Sequence, residues 1–130
     1  MVIFMERLIV VEKFNDFLGD NTIYEYYDDN KYLGEFCIIQ EYDDDNGESC
    51  VNYICNVKII PLERGKGYGT RMLQTLLEEY PHETFTLHVE VINEIAFMMY
   101  KKLGFELIST KRECGTIAHK MMKRGKKNEI

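Results

Sequence analysis

No apolar run in this chain approaches the ~20 residues that a membrane span requires. The N-terminal stretch, Met1 to Arg7, has neither a basic n-region nor a cleavage site, so no secretory leader is expected. Only two prolines are present, Pro61 and Pro81, and each falls where an apolar periodic segment stops. The four cysteines, Cys37, Cys50, Cys55 and Cys114, form no C-x-x-C pair, and three lie in apolar, strand-like surroundings. They read as small buried thiols rather than as disulfides or zinc ligands, which implies a reducing, cytoplasmic setting. No His/Cys/Asp spacing supports a metal, no Ser or Cys has a base partner close in sequence, and there is no internal repeat. What remains is 130 residues, 45% hydrophobic and 29% charged, the balance of one soluble globular domain with a single core.

Positive charge is scarce in the first half. Residues 1–60 hold 13 acidic and 4 basic side chains, and residues 61–130 hold 9 and 12, so a net −6 divides into −9 and +3. A basic half suits a polyanionic ligand, and an acidic half suits a cationic amine or basic peptide. The same acidity argues against nucleic acid as a partner. Ordinary solvated surface is the competing reading of these charges.

The segment Val57 to Thr70 organises the rest. An apolar strand stops at Pro61, which cannot extend a sheet ladder. Gly65, Gly67 and Gly69 then alternate with Lys66 and Tyr68. Met72, Leu73, Leu76, Leu77 and Tyr80 follow at helical spacing. Glycine lets backbone approach a bulky anion, and the first turn of a helix presents unpaired N–H groups and the positive end of a dipole. Strand, glycine turn and helix start together make a diphosphate cradle, with Arg64, Lys66 and Arg71 adding charge around it. No Gly-Lys-Ser/Thr closes it as in a P-loop. A dinucleotide fingerprint would lack its third glycine here, and the chain has no room for two mononucleotide halves.

Arg64, Gly67 and Gly69 instead spell Arg-x-x-Gly-x-Gly. Downstream, Asn93, Ala96 and the run Tyr100, Lys102, Leu103, Gly104, Phe105 spell a second signature after a strand. The two motifs, in this order and at this separation, resemble those of the GNAT superfamily of acetyl-CoA-dependent N-acetyltransferases. The resemblance covers about residues 51–110. It implies an α/β (α+β) fold with a mixed, splayed central sheet flanked by helices, over residues 1–123, followed by a polar tail at 124–130 expected to fray. It also implies acetyl-CoA as co-substrate, no metal, and an amine acceptor on a protein, a peptide or a small molecule such as a polyamine. A non-catalytic module that binds coenzyme A or a partner protein is the reading from another class.

Residue patterns place strands at 2–12, 22–27, 32–42, 51–60, 84–91, 105–110 and 116–122, and helices at 70–80 and 94–103, the second capped by Asn93 and closed by Gly104. Asp43 to Glu48 reads as a hairpin tip with Asn46-Gly47 at its turn. The superfamily usually sets two helices between its first two strands. Here Glu12 to Thr22 leaves room for one helical turn or two at ~1.5 Å per residue, a shortened connection. The acceptor side is then open to a polypeptide, or completed by the second copy in a homodimer.

The resemblance also assigns roles. Val57, Lys58 and Ile59 would pair with the pantetheine arm and turn an N–H toward the thioester oxygen. The loop Arg64, Gly65, Lys66, Gly67, Tyr68, Gly69, Thr70 would hold the diphosphate. Asn93 would contact the coenzyme as well as cap its helix, and Lys101 or Lys102 would reach the 3′-phosphate; exposed helix lysines need no such role. Tyr100 stands where the family has the acid that protonates the departing thiolate, a step that suits a phenol of reference pKa ~10 against ~8.5 for a thiol. An aromatic filling the helix–sheet seam is the alternative. His88 occupies the place of the Glu base in the branch acting on N-terminal alanine of ribosomal proteins, and Glu90 stands beside it on the polar face of the strand. A strand histidine without a role is the alternative. Tyr53 occupies the place of the Glu base in the histone-modifying branch, and Glu35 and Glu41 remain as bases acting through water.

Overall fold

The computed structural model describes residues 5–17, 19–43, 48–113 and 115–127. Antiparallel strands follow one another from the start: β1 (Glu6–Asp16), β2 (Gly19–Asp28), β3 (Lys31–Asp43) and β4 (Glu48–Ile59). A short 3-10 turn, Pro61–Glu63, leads into α1 (Tyr68–Glu79); β5 (Phe85–Glu90), α2 (Glu94–Lys102), β6 (Glu106–Glu113) and β7 (Thr116–Lys123) complete the order. The seven strands form one sheet in the order β1-β2-β3-β4-β5-β7-β6. Residues 44–47, where the Asn-Gly turn is expected, and Cys114 lie outside the described residues.

The sheet is mixed because the crossover through α1 returns the chain parallel to β4. That parallel pairing spans only Asn52↔Phe85 and Tyr53↔Thr86. Asn52 fastens it, its backbone N–H and its Nδ2 both donating to the Thr84 carbonyl at 3.0 and 3.2 Å. Beyond Tyr53 the two strands part. On the other side of β4 the pairing with β3 jumps from Cys37↔Cys55 to Glu35↔Lys58, which marks a bulge at Asn56 and Val57. Asn56 takes φ 55°, a left-handed value that asparagine tolerates better than most residues. A bulge bends its strand and re-aims its edge. At the next rung Gly34 faces Ile59, and a Cβ there would stand 2.2 Å from the Lys58 carbonyl oxygen, so only glycine lets β3 lie this close.

Both helices pack on one face. Met72, Leu73, Leu76 and Leu77 of α1 and Tyr100 of α2 share a buried cluster with Tyr24, Phe36, Ile38, Ile54, Leu87 and Met121. Alternation along each strand turns Cys37, Tyr53, Thr86, His88 and Glu90 to the opposite face. Among the described residues no helix covers that face, because none lies between β1 and β2. The expected helical turn is replaced by strand: the two strands pair down to Asp16↔Gly19. The tail departs from expectation too. Gly125 donates to Thr84 Oγ1 at 3.1 Å, Lys126 donates to the Pro81 carbonyl at 2.8 Å, and His82 Nδ1 lies 2.9 Å from the Lys126 carbonyl, so 124–126 are tied to the α1–β5 loop.

Candidate active site

Where β4 and β5 part, a groove of about 980 Å³ opens toward the helices. Its walls are Val57, Lys58 and Ile59 of β4, the loop between Glu63 and Thr70 except Lys66, and one side of α2 from Asn93 to Lys102. The sheet-side wall follows from the pairing: among the described residues the β5-facing edge of β4 has no strand partner past Tyr53, and an extended chain with amides could pair with it.

The loop is shaped by two left-handed glycines, Gly65 at φ 81° and Gly67 at φ 83°, the latter the N-cap of α1. Among the described residues, no backbone N–H from Gly65 to Thr70 finds a protein acceptor. Six donors thus stand without protein acceptors where a helix begins, and an anion is the natural complement of such a site. Arg64 lines the groove and donates from Nε to the Ile59 carbonyl at 3.1 Å. The other two cations are less available than their sequence positions imply. Lys66 turns to the buried carboxylate of Glu63 at 2.9 Å, which also accepts from Lys31. These bonds, the one from Lys31 foremost, hold the Glu63 carboxyl below the usual range. Arg71 pairs with Glu6 instead of facing the groove: Nε lies 2.9 and 3.0 Å from the two carboxylate oxygens.

Across the groove, Asn93 caps α2 by accepting from the Ala96 N–H at 3.1 Å, as expected, and its side chain also meets the groove. Lys102 lines the groove, whereas Lys101 lies 5.6 Å from the Phe97 ring centroid. Tyr100 is 7% exposed and packs edge-on against Phe105 at 5.9 Å. Among the described residues no buried polar side-chain atom lacks a partner, and no protein group bonds the Tyr100 hydroxyl, so that hydroxyl opens on the groove. Burial pushes its pKa above the ordinary tyrosine value and keeps it protonated.

His88 and Glu90 are not in the groove. They project from β5 on the face without helices, two residues apart and both exposed. His88 Nδ1 lies 3.0 Å from the Tyr53 hydroxyl, and the rings are 5.4 Å apart. Sequence reading noted Tyr53 only as the place of a missing carboxylate; a contact 35 residues away in the chain leaves no local signal. Of the proposed reserves, Glu35 accepts a hydrogen bond from the Tyr32 hydroxyl within β3. Among the described residues, no three His, Cys, Asp or Glu side chains gather as a metal site would need. Cys37 and Cys55 are free thiols facing each other across β3 and β4. No helix of the described residues is long and apolar enough to cross a membrane.

The profile of the Acetyltransferase (GNAT) family matches residues 5–105. The chain belongs to the GNAT family. Among curated proteins it is similar to N-alpha-acetyltransferase 50 of Danio rerio, 36% identical over 64 residues. That match spans 46% of this chain and 38% of the fish protein, so well under half of the relative's length is represented. Among solved structures, Arabidopsis thaliana Naa50 in complex with the bisubstrate analogue CoA-Ac-MVNAL superposes at TM-score 0.64 with 23% identity, covering 78% of this chain and 71% of that one. A spermidine N-acetyltransferase SpeG chimera from Vibrio cholerae and hSSAT superposes at 0.65 with 19% identity, covering 78% and 66%. At these identities the structural likenesses speak for the fold.

Proposed function

We propose that this GNAT domain transfers the acetyl group of acetyl-CoA directly to a primary amine carried by a protein or peptide. The observation that carries the proposal is the groove between β4 and β5, with its open strand edge and six N–H groups without protein acceptors. The parts fit the coenzyme in order: Val57 to Ile59 for the pantetheine amides, the loop Arg64 to Thr70 for the diphosphate, and Lys102 for the phosphate on the ribose. Arg64 brings its charge to that loop, while Lys66 would have to be shared with Glu63.

Bound acetyl-CoA would supply a thioester whose carbonyl carbon gains a bond to nitrogen as its bond to sulfur breaks. The protein must then remove a proton from the amine and deliver one to the sulfur. Tyr100 is suited to the second task, as a phenol kept neutral by burial and open to the groove. His88 is suited to the first. If Nδ1–H donates to the Tyr53 oxygen, Nε2 carries the lone pair that a base needs, and Tyr53 is a positioning residue that selects this tautomer. Tyr100 and His88 lie on opposite faces of the sheet. This suits a reaction in which the amine arrives through the gap from the bare face while the thiol leaves on the helix face. Glu90, beside His88, would draw a cationic amine toward that gap.

A polypeptide acceptor is favoured by the face that no helix encloses, and by relatives named as, or solved with a peptide analogue in, N-alpha-acetyltransferases. The acidic first half and the spermidine N-acetyltransferase among the structural neighbours favour a second reading, a small polyamine-like acceptor. Release of free thiol from acetyl-CoA in the presence of a peptide panel, against a spermidine and small-amine panel, separates the two. Binding of acetyl-CoA without thiol release from either panel would instead mark a binding module.

A further inference from the structure

Arg71 is anomalous where it stands. It occupies the first turn of α1, where a cation opposes the helix dipole, yet it does not line the diphosphate groove. Its guanidinium makes three kinds of contact at once. Nε meets both Glu6 oxygens at 2.9 and 3.0 Å, and Nη2 lies 2.9 Å from Oε1. Nη1 donates to the Lys66 carbonyl at 3.3 Å, in the middle of the glycine loop. The guanidinium carbon sits 4.7 Å from the centre of the Tyr68 ring. Gly67 leaves the room required, since a Cβ there would stand 3.0 Å from Nη1.

We propose that Arg71 and Glu6 form a strut that holds the diphosphate loop in its binding shape, making both positioning residues for coenzyme recognition; this rests on the acetyl-CoA reading above. One end of the strut is the first residue of the edge strand β1, 65 residues away in sequence, and the other is the carbonyl between the two left-handed glycines. A loop containing two such glycines has many conformations open to it, and the anion site needs one. A planar fork that bonds a carboxylate on one side and a carbonyl on another, while stacked on a ring, restrains that loop in a way a lysine cannot. The loop's donors then meet the diphosphate already converged, with the guanidinium itself turned away from it.

The test exploits a difference in sign. Glu6→Gln removes a negative charge from the neighbourhood of an anion site, so charge alone predicts tighter coenzyme binding. The strut predicts weaker binding, by about fivefold, the upper end of what a half-exposed pair delivers. Arg71→Lys keeps the charge, loses the fork, and is expected to weaken binding to a similar degree, with the double variant no worse than Arg71→Lys alone. CoA titrated calorimetrically into each variant reads this directly. Affinity for Glu6→Gln equal to or above wild type overturns the strut, as does unchanged affinity for Arg71→Lys. In parallel, nitrogen-15 relaxation of the Gly65 and Gly67 amides in the unliganded protein should show added fast motion in Glu6→Gln; unchanged order overturns the strut even if the wild-type protein takes up no CoA. Absence of CoA binding by wild type would by itself sink the acetyltransferase reading. Both substitutions are on partly exposed side chains, and should one variant fail to fold, the other decides.

Discussion

Tyr100 gives the sharpest expectations at the scale of single residues. Its hydroxyl opens on the groove, while its ring belongs to the core with Phe105. Tyr100→Phe keeps the ring and removes the proton, so turnover at saturating acetyl-CoA should fall by about 10²-fold or more while coenzyme affinity stays within a factor of two or so. A variant that lost affinity and turnover together would point to a role in packing instead. Since burial holds the phenol above its ordinary pKa, the basic limb of the wild-type pH–rate profile should lie on the alkaline side of a free tyrosine's. His88 predicts the opposite limb. His88→Ala should abolish the acidic limb of kcat/KM, and a limb that persists would assign the base elsewhere.

Among the elements, β4 forms the sheet-side wall of the groove and lies tightly against β3 at Gly34. Gly34→Ala would drive a methyl into the Lys58 carbonyl at 2.2 Å, which either β3 or β4 must relieve by moving. The expected cost is about 2 kcal/mol or more in urea unfolding, accompanied by weaker CoA binding because Val57 to Ile59 shift with it. Retained affinity would mean that the coenzyme does not use this edge. Much of this architecture was legible in the sequence. Pro61, the alternating glycines and the spacing of Met72 to Leu77 placed the loop and α1 within two residues of where they lie, and Asn93 marked its cap, because each signal is local. The Asn56 bulge was not legible, since one asparagine in an apolar strand announces no left-handed turn. Nor were the Tyr53–His88 contact and the Arg71–Glu6 pair, which join residues 35 and 65 apart. The β1–β2 hairpin was not legible for another reason: the family's usual pair of helices suggests a helical turn between Glu12 and Thr22, whereas the two strands pair down to Asp16↔Gly19.

For the whole molecule, pH dependence follows from groups that folding keeps neutral. Burial foremost raises Cys55 from 9.0 to about 12, with Cys37 adding to it. Burial, then the Glu6 charge, raises Tyr26 from 10.0 to about 12. Tyr24 and Tyr32 are pushed further in the same direction. The folded state therefore holds protons that the unfolded chain releases first. Their contribution is complete below about pH 9 and is lost as pH climbs from there through about 12. Urea midpoints should be level from pH 7 to 8.5 and fall steadily above 9; Cys55→Ala should make the fall between pH 9 and 10 shallower, with the buried Cys37 thiol still contributing to it, and a flat profile would contradict the burial of these groups.

The two-rung junction at Asn52 and Tyr53 leaves the seven strands as a four-strand sheet and a three-strand sheet hinged at one end. Such a seam is a natural plane of cleavage for thermal agitation, and a ligand lying along it acts as a suture. Without coenzyme, calorimetry should record a broad endotherm with a van't Hoff enthalpy below the calorimetric one; with acetyl-CoA the two enthalpies should converge as the halves begin to melt as one.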